Sequence, residues 1–187
     1  MECGPDGSNP INCYALVAYI PGPLGEFLDQ LRVELVPACV PKAHVTVLPP
    51  RSLAGTVDDA LAELNGALTD LLPFRMEARS VEMFHDTSVI YIGLGAGWSE
   101  LQRIHDRLNR GPLAFEEPFP YHPHITLAQE IGSGEVSEIF ERARRRWEEY
   151  QGPRTVAVET ITFVQNTDKN RWLDLAHWSL RAVPAVR

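Results

Sequence analysis

Two short stretches hold the residue types best suited to chemistry. "AHVTVLPP" at 43–50 and "HPHITLAQ" at 122–129 each place a His-x-Thr-x run inside a short apolar segment. Side chains alternate between the two faces of a strand, so His44 and Thr46 share one face and Val45 and Val47 take the other. His124 and Thr126 likewise share a face, with Ile125 and Leu127 opposite. Two imidazoles and two hydroxyls around one small volume suit phosphoryl transfer. A neutral imidazole takes a proton from an attacking water or hydroxyl, and an imidazolium protonates the leaving oxygen. An ordinary histidine pKa near 6.5 serves both tasks. Each threonine hydroxyl donates to a non-bridging phosphate oxygen as charge builds there. The scheme needs no metal and no cofactor.

A lone strand histidine is usually a satisfied surface or core residue, so the weight rests on the repetition. His122 shares the face of His124 and Thr126, which makes a zinc site of His44, His122 and His124 thinkable. An i, i+2 strand pair explains only two such ligands, however, and no acidic ligand lies nearby in sequence. His122 is therefore expected at the rim of the site, positioning substrate. Tyr121 and Phe119 are candidates for stacking on a base, although aromatic residues in proline-rich loops are as often packing anchors. His85 is expected at an exposed hairpin turn, His105 in a packed helix face, and His177 in the last strand with no visible partner. The run "RARRR" at 142–146 stands among Glu141, Glu148 and Glu149 and reads as a solvated helix face.

The elements that must position these residues follow from periodicity. Tyr14–Ile20 is an apolar run rich in strand formers, stopped by "PGPLG". Leu24, Phe27, Leu28, Leu31 and Leu35 recur at helical spacing and predict a helix over 24–35. A second helix starts at Thr56, with Asp58 and Asp59 in its first turn. Residues 74–84 and 88–94 read as strands joined around "HDT". The order then restarts: a helix buried through Trp98, Leu101, His105 and Leu108, the second motif strand, a helix within "EVSEIFERARRRWEEY", and strands over 155–165 and 171–180. Corresponding positions lie at an offset of 80 residues, His44 with His124 and Val81 with Ile161, which marks an internal duplication. The expected fold is α+β: two pseudo-symmetric lobes, each an antiparallel sheet with helices outside, facing across a central cleft. Residues 1–12 read as a flexible leader and 13–187 as one bilobal domain.

Composition sets the outer bounds. The 187 residues are 44% hydrophobic and 22% charged, as in globular chains. A formal charge of −8 argues against a broad, non-specific nucleic-acid surface and against DNA as partner. It leaves room for a small nucleotide or an RNA end in a local pocket. Cys3, Cys13 and Cys39 lack metal-binding spacing and suit reduced thiols in a cytoplasmic protein. There is no membrane-length apolar run and no signal-peptide pattern at the start, so no membrane partner is expected. Both motifs lie on one chain, so a monomer suffices.

"HVTV" at 44–47 and "HITL" at 124–127, in a duplicated αβ order, resemble the two-histidine (2H) phosphoesterase superfamily. The likeness is greatest to its 2′-5′ RNA ligase-like branch and covers roughly residues 13–181. It implies a metal-independent phosphodiesterase acting on 2′,3′-cyclic phosphate ends of RNA or nucleotides, or on related 2′ or 3′ diesters. Some members also run the reverse 2′-5′ ligation. Carried over, His44 and His124 become the acid–base pair, with Thr46 and Thr126 as phosphate ligands. One departure stands out. The branch commonly places arginine after the second motif, where this chain has Gln129. Gln129 donates hydrogen bonds but brings no charge, and Lys42, Arg51 and Arg171 are candidates to compensate. The alternative reading is a non-catalytic nucleotide or RNA-end binding module on the same fold.

Overall fold

The computed structural model describes residues 7–37, 39–40 and 42–180. The proposed leader's residues 1–6, with Cys3, lie outside the described residues, as do 181–187. In chain order the elements are β1 (Pro10–Tyr19), α1 (Gly22–Leu35), β2 (His44–Arg51), α2 (Val57–Leu68), β3 (Phe74–Phe84) and β4 (Val89–Leu94). Then come α3 (Trp98–Leu108), β5 (His124–Ala128), α4 (Val136–Glu149), β6 (Thr155–Val158), β7 (Thr160–Thr167) and β8 (Trp172–Ser179). Pro10–Asn12, which the sequence reading places in a leader, belong to β1. Asn12 exchanges two hydrogen bonds with the Leu53 backbone, which ties this end of the strand to the body.

All pairings are antiparallel, and the strands run in the order β6-β3-β4-β5-β2-β1-β7-β8. The motif strands β2 and β5 are the two central ones. The sequence suggests motif strands facing each other across a cleft; instead they are neighbours in one sheet, paired at Val45 and Ile125. Each half of the chain opens as a β-α-β-α-β unit, and one strand of each half crosses over. β3, from the first half, pairs with β4, while β7, from the second, pairs with β1. The lobes are thus not the two halves of the sequence. Only Glu159 separates β6 from β7, although those strands stand far apart in the sheet order. The sheet must therefore curl to bring its β6 edge back toward β7.

Burial follows the alternation in the motifs. Val45, Val47, Ile125 and Leu127 are at most 1% exposed and join the core beneath the helices. Leu24, Leu28, Leu31 and Leu35 bring one stripe of α1 onto that core. Gly25 lets the helix start touch the chain leaving β1, since a Cβ there would meet the Ile20 carbonyl oxygen at 2.0 Å. Helix α2 opens with a capping box between Thr56 and Asp59, so two otherwise unpaired backbone donors are satisfied. In α3, Leu101, Ile104, His105 and Leu108 are buried, but Trp98 is 37% exposed because it sits at the first position, before the stripe turns inward. Three arginines of α4 pair with acids as expected of a solvated face, Arg142 with Glu138, Arg144 with Glu141 and Arg146 with Glu34 and Glu149.

Candidate functional site

The register of the central strands assembles the site. Val45 opposes Ile125 in an antiparallel pair, so His44 opposes Thr126 and Thr46 opposes His124. A local two-fold axis runs between the strands. Directly opposed side chains lie about 4.5–5.5 Å apart at Cβ and diagonal ones roughly 7–8 Å, close enough for both imidazoles to address one phosphate. Neighbouring strands extend the same face: Tyr19 opposes His44 and Val17 opposes Thr46 on β1, while Tyr91 opposes Thr126 and Gly93 opposes His124 on β4.

Both histidines are held in the same way. His44 Nδ1 lies 2.7 Å from the Lys42 carbonyl oxygen, and His124 Nδ1 lies 2.6 Å from that of His122. A carbonyl only accepts, so each Nδ1 carries the hydrogen and donates it. The neutral tautomer therefore leaves each Nε2 unprotonated and available to a ligand. Desolvation holds the His44 pKa below the ordinary imidazole value, helped by the charges of Arg32, His124 and Lys42. Desolvation also lowers the His124 pKa, with His122 adding to it. The Lys42 and His122 carbonyl bonds oppose these shifts without reversing them. Each ring is a ready base in the free protein, and an anion in the groove favours protonating one of them.

The two ends of the site differ. Beside His44, Tyr19 meets the imidazole edge-on at 6.3 Å, and Lys42 Nζ lies 3.5 Å from the Tyr19 ring centroid. Asp174 of β8 accepts from both the Tyr19 hydroxyl at 2.5 Å and Lys42 at 2.8 Å. Beside His124, Phe84 and Tyr91 stack at 4.1 Å, and the edges of His122 and His124 meet Phe84 at 5.2 and 5.1 Å. Burial and the neighbouring Glu82 push the Tyr91 phenol up to about 12, so it stays a hydrogen-bond donor. His122 is exposed, against Phe84 and Tyr91. Among the described residues no three His, Cys, Asp or Glu side chains cluster as metal ligands.

Behind the motifs lies a buried network that sequence reading missed. Tyr121 is not presented to a substrate as a stacking surface: its ring lies 3.9 Å from His105, nearly parallel, and its hydroxyl donates to the Thr46 carbonyl at 2.8 Å. His105 Nε2 and Arg51 Nη2 share Glu117 Oε1, at 2.9 and 2.6 Å. Arg51 also donates to Asn109 Oδ1 and to the Pro49 and Leu113 carbonyls. Arg51 is thus spent on structure and does not replace the missing cation. On the other motif strand, Arg32 Nη1 donates to the Thr126 carbonyl. Both threonine carbonyls are braced by side chains. Gln129 is exposed just beyond β5, Phe119 is 61% exposed in its loop, and Arg171 is exposed beside β8. Of the compensating cations, Lys42 lies at the His44 end, against Tyr19. His85 is exposed at the β3–β4 turn, and His177 is exposed on β8 opposite Thr162.

This fold and this pair of motif strands define the two-histidine phosphoesterase class. The model of the 2′-5′ RNA ligase superfamily matches residues 20–170, and the chain belongs to that family. An RNA 2′,3′-cyclic phosphodiesterase of Aeropyrum pernix is 28% identical over 131 residues, which cover 66% of this chain and 72% of that protein. A Geobacillus sp. protein named as a phosphoesterase is 32% identical over 79 residues, 42% of this chain. The chain spans about half the length of the Geobacillus sp. (44%) and Oceanobacillus iheyensis (51%) relatives it matches. E. coli LigT complexed with ATP superposes with a TM-score of 0.64 at 18% identity, covering 93% of this chain and all of that one. The TT0787 protein of Thermus thermophilus superposes with a TM-score of 0.63 at 20% identity, covering 90% and 98%. These likenesses bear out the antiparallel, curled α+β fold. Among the described residues no helix is long and apolar enough to cross a membrane.

Proposed function

We propose that this chain is a metal-independent phosphodiesterase that opens 2′,3′-cyclic phosphates of nucleotides or RNA ends. One observation carries the reading. Two pseudo-symmetric histidines, each with Nδ1 donated to the carbonyl two residues earlier, project unprotonated Nε2 atoms beside two threonines on one face.

In the proposed reaction, water attacks phosphorus while one neutral imidazole removes its proton. The bond from phosphorus to one ribose oxygen breaks, and the second histidine, as imidazolium, gives that oxygen its proton. The product is a ribose monophosphate, and the two histidines end with exchanged protonation states. Thr46 and Thr126 hydroxyls hold the non-bridging oxygens as charge develops. Each positioned acid or base supplies roughly 10²–10⁴-fold. Lys42 offers a cation at the His44 end, where it already meets Asp174.

The substrate class rests on the Aeropyrum relative's name and on LigT structures that hold ATP, 3′-AMP and NADP+. A single chain supplies every group invoked, so a monomer suffices for the proposed reaction. The free thiols of Cys13 and Cys39 suit the cytoplasm.

The test is hydrolysis of nucleoside 2′,3′-cyclic phosphates in EDTA, with the 2′- and 3′-monophosphate products resolved. Turnover yielding one isomer supports the reading. Strict dependence on added metal, or binding of the nucleotides with no turnover, overturns it, the latter in favour of a binding module.

A further inference from the structure

We infer that the His124 end of the groove reads the nucleobase, with Glu82 as the specificity-determining residue and guanine as the favoured base. The inference rests on the nucleotide reading above and adds the orientation of the ligand and the base it carries.

Gly93 is the β4 neighbour of His124, where the corresponding neighbour of His44 is Tyr19. A Cβ at Gly93 would meet Glu82 Oε1 at 2.4 Å and Cδ at 2.9 Å. The absent side chain is thus the space in which the Glu82 carboxylate lies, on the site face beside His124. Glu82 is carried there by register, since it opposes Tyr91 on β4.

Its present partners are neutral. Ser80 Oγ donates to Oε1 at 2.8 Å and the Tyr91 hydroxyl to Oε2 at 3.2 Å. Among the described residues no cation pairs with Glu82, whereas Asp174 at the other end has Lys42. A carboxylate has about four acceptor positions, so Glu82 keeps capacity for two more donors. The stacked rings of Phe84 and Tyr91, with His122 against them, stand on the same side. Unpaired bases are recognised by just this pairing of an aromatic stack with hydrogen bonds to the Watson–Crick edge.

The chemistry of the bases selects among them. Guanine alone presents two adjacent N–H donors, N1–H and the 2-amino group, which a carboxylate accepts side by side. Adenine and cytosine offer one amino donor beside a ring-nitrogen acceptor that a carboxylate repels. Uracil offers one N–H between two carbonyls. The phosphate stays between the two histidines, and the cationic Lys42 end lies on the side of it away from the base.

The experiment is calorimetric binding of the 3′-monophosphates of guanosine, inosine, adenosine, cytidine and uridine to the native chain, Glu82→Gln and Gly93→Ala. Turnover of the matching cyclic phosphates is measured in parallel. The native chain should bind the guanosine nucleotide about tenfold or more tightly than the adenosine one, in line with a bidentate contact. Inosine, lacking the 2-amino donor, should fall between. Both variants should bring the guanosine-to-adenosine ratio near one, the second because its new Cβ displaces the carboxylate. Equal native affinities, or a guanine preference that survives in both variants, overturns the inference. Guanine-selective binding without turnover upholds base reading and removes cleavage. Turnover without base preference does the reverse, and no binding at all removes both.

Discussion

Removing Glu117 should cost far more than removing an exposed carboxylate of the described residues. Arg51 and Glu117 side chains are 1% and 10% exposed, and the guanidinium and carboxylate meet at 2.6 Å. In Glu117→Ala the guanidinium keeps its bonds to Pro49, Leu113 and Asn109 but loses its counter-charge, and His105 Nε2 loses its acceptor. Breaking one side of a buried pair costs about 3–5 kcal/mol. For a chain of this size each kcal/mol moves the melting midpoint by about 2–4 °C, so a fall of roughly 6–20 °C is expected. Thermal unfolding followed by circular dichroism, with urea midpoints alongside, measures it. Replacing both partners, Arg51→Met with Glu117→Leu, should recover most of the loss, because no uncompensated charge is left buried. A single-variant fall under about 2 °C, or a double variant no better than the single, would refute the reasoning.

Three other perturbations test the site. The motif histidines titrate below the ordinary value of 6.5 in the free protein, so the acid limb of kcat/KM should lie below pH 6.5, and bound phosphate should move the limb of kcat upward. For stability the sign is fixed by the same shifts: below about pH 6.5 the unfolded chain binds more protons, so stability is lost as the pH is lowered, until the folded values are passed. His44→Gln with His124→Gln should flatten that acid-side loss in denaturation at pH 5.5 and 7.5. Lys42→Met should raise KM for a cyclic phosphate several-fold, with a smaller change in kcat and a weaker dependence on salt.

What could be read from the sequence was local. Alternation in "HVTV" and "HITL" settles which side chains face the groove, because one misplaced register would bury His44 and expose Val45. The stripe of Leu24, Leu28, Leu31 and Leu35 is equally plain. Long-range pairing is another matter. Nothing local in β3 and β7 says that each joins the other half's sheet, so the duplication suggested two separate lobes. Glu117 sits in the loop "FEEPFPYHP", where a partner in Arg51 has no periodic signal. Tyr121 looked available to a base only because His105, on a helix earlier in the chain, could not be seen beneath it. Tyr19 and Glu82 reach their histidines across strands, through register alone. Gly93 offered the one hint for Glu82, since a glycine inside an apolar strand marks a close approach.

The most direct measurement is single-turnover hydrolysis of a nucleoside 2′,3′-cyclic phosphate by the native chain, His44→Ala, His124→Ala and the double variant. Chemical denaturation would confirm that each is folded. Acid and base acting in one transition state are strongly non-additive. Each single variant should therefore lose roughly 10²–10⁴-fold, and the double should lose little more. A native rate retained by either single variant would contradict paired-histidine catalysis.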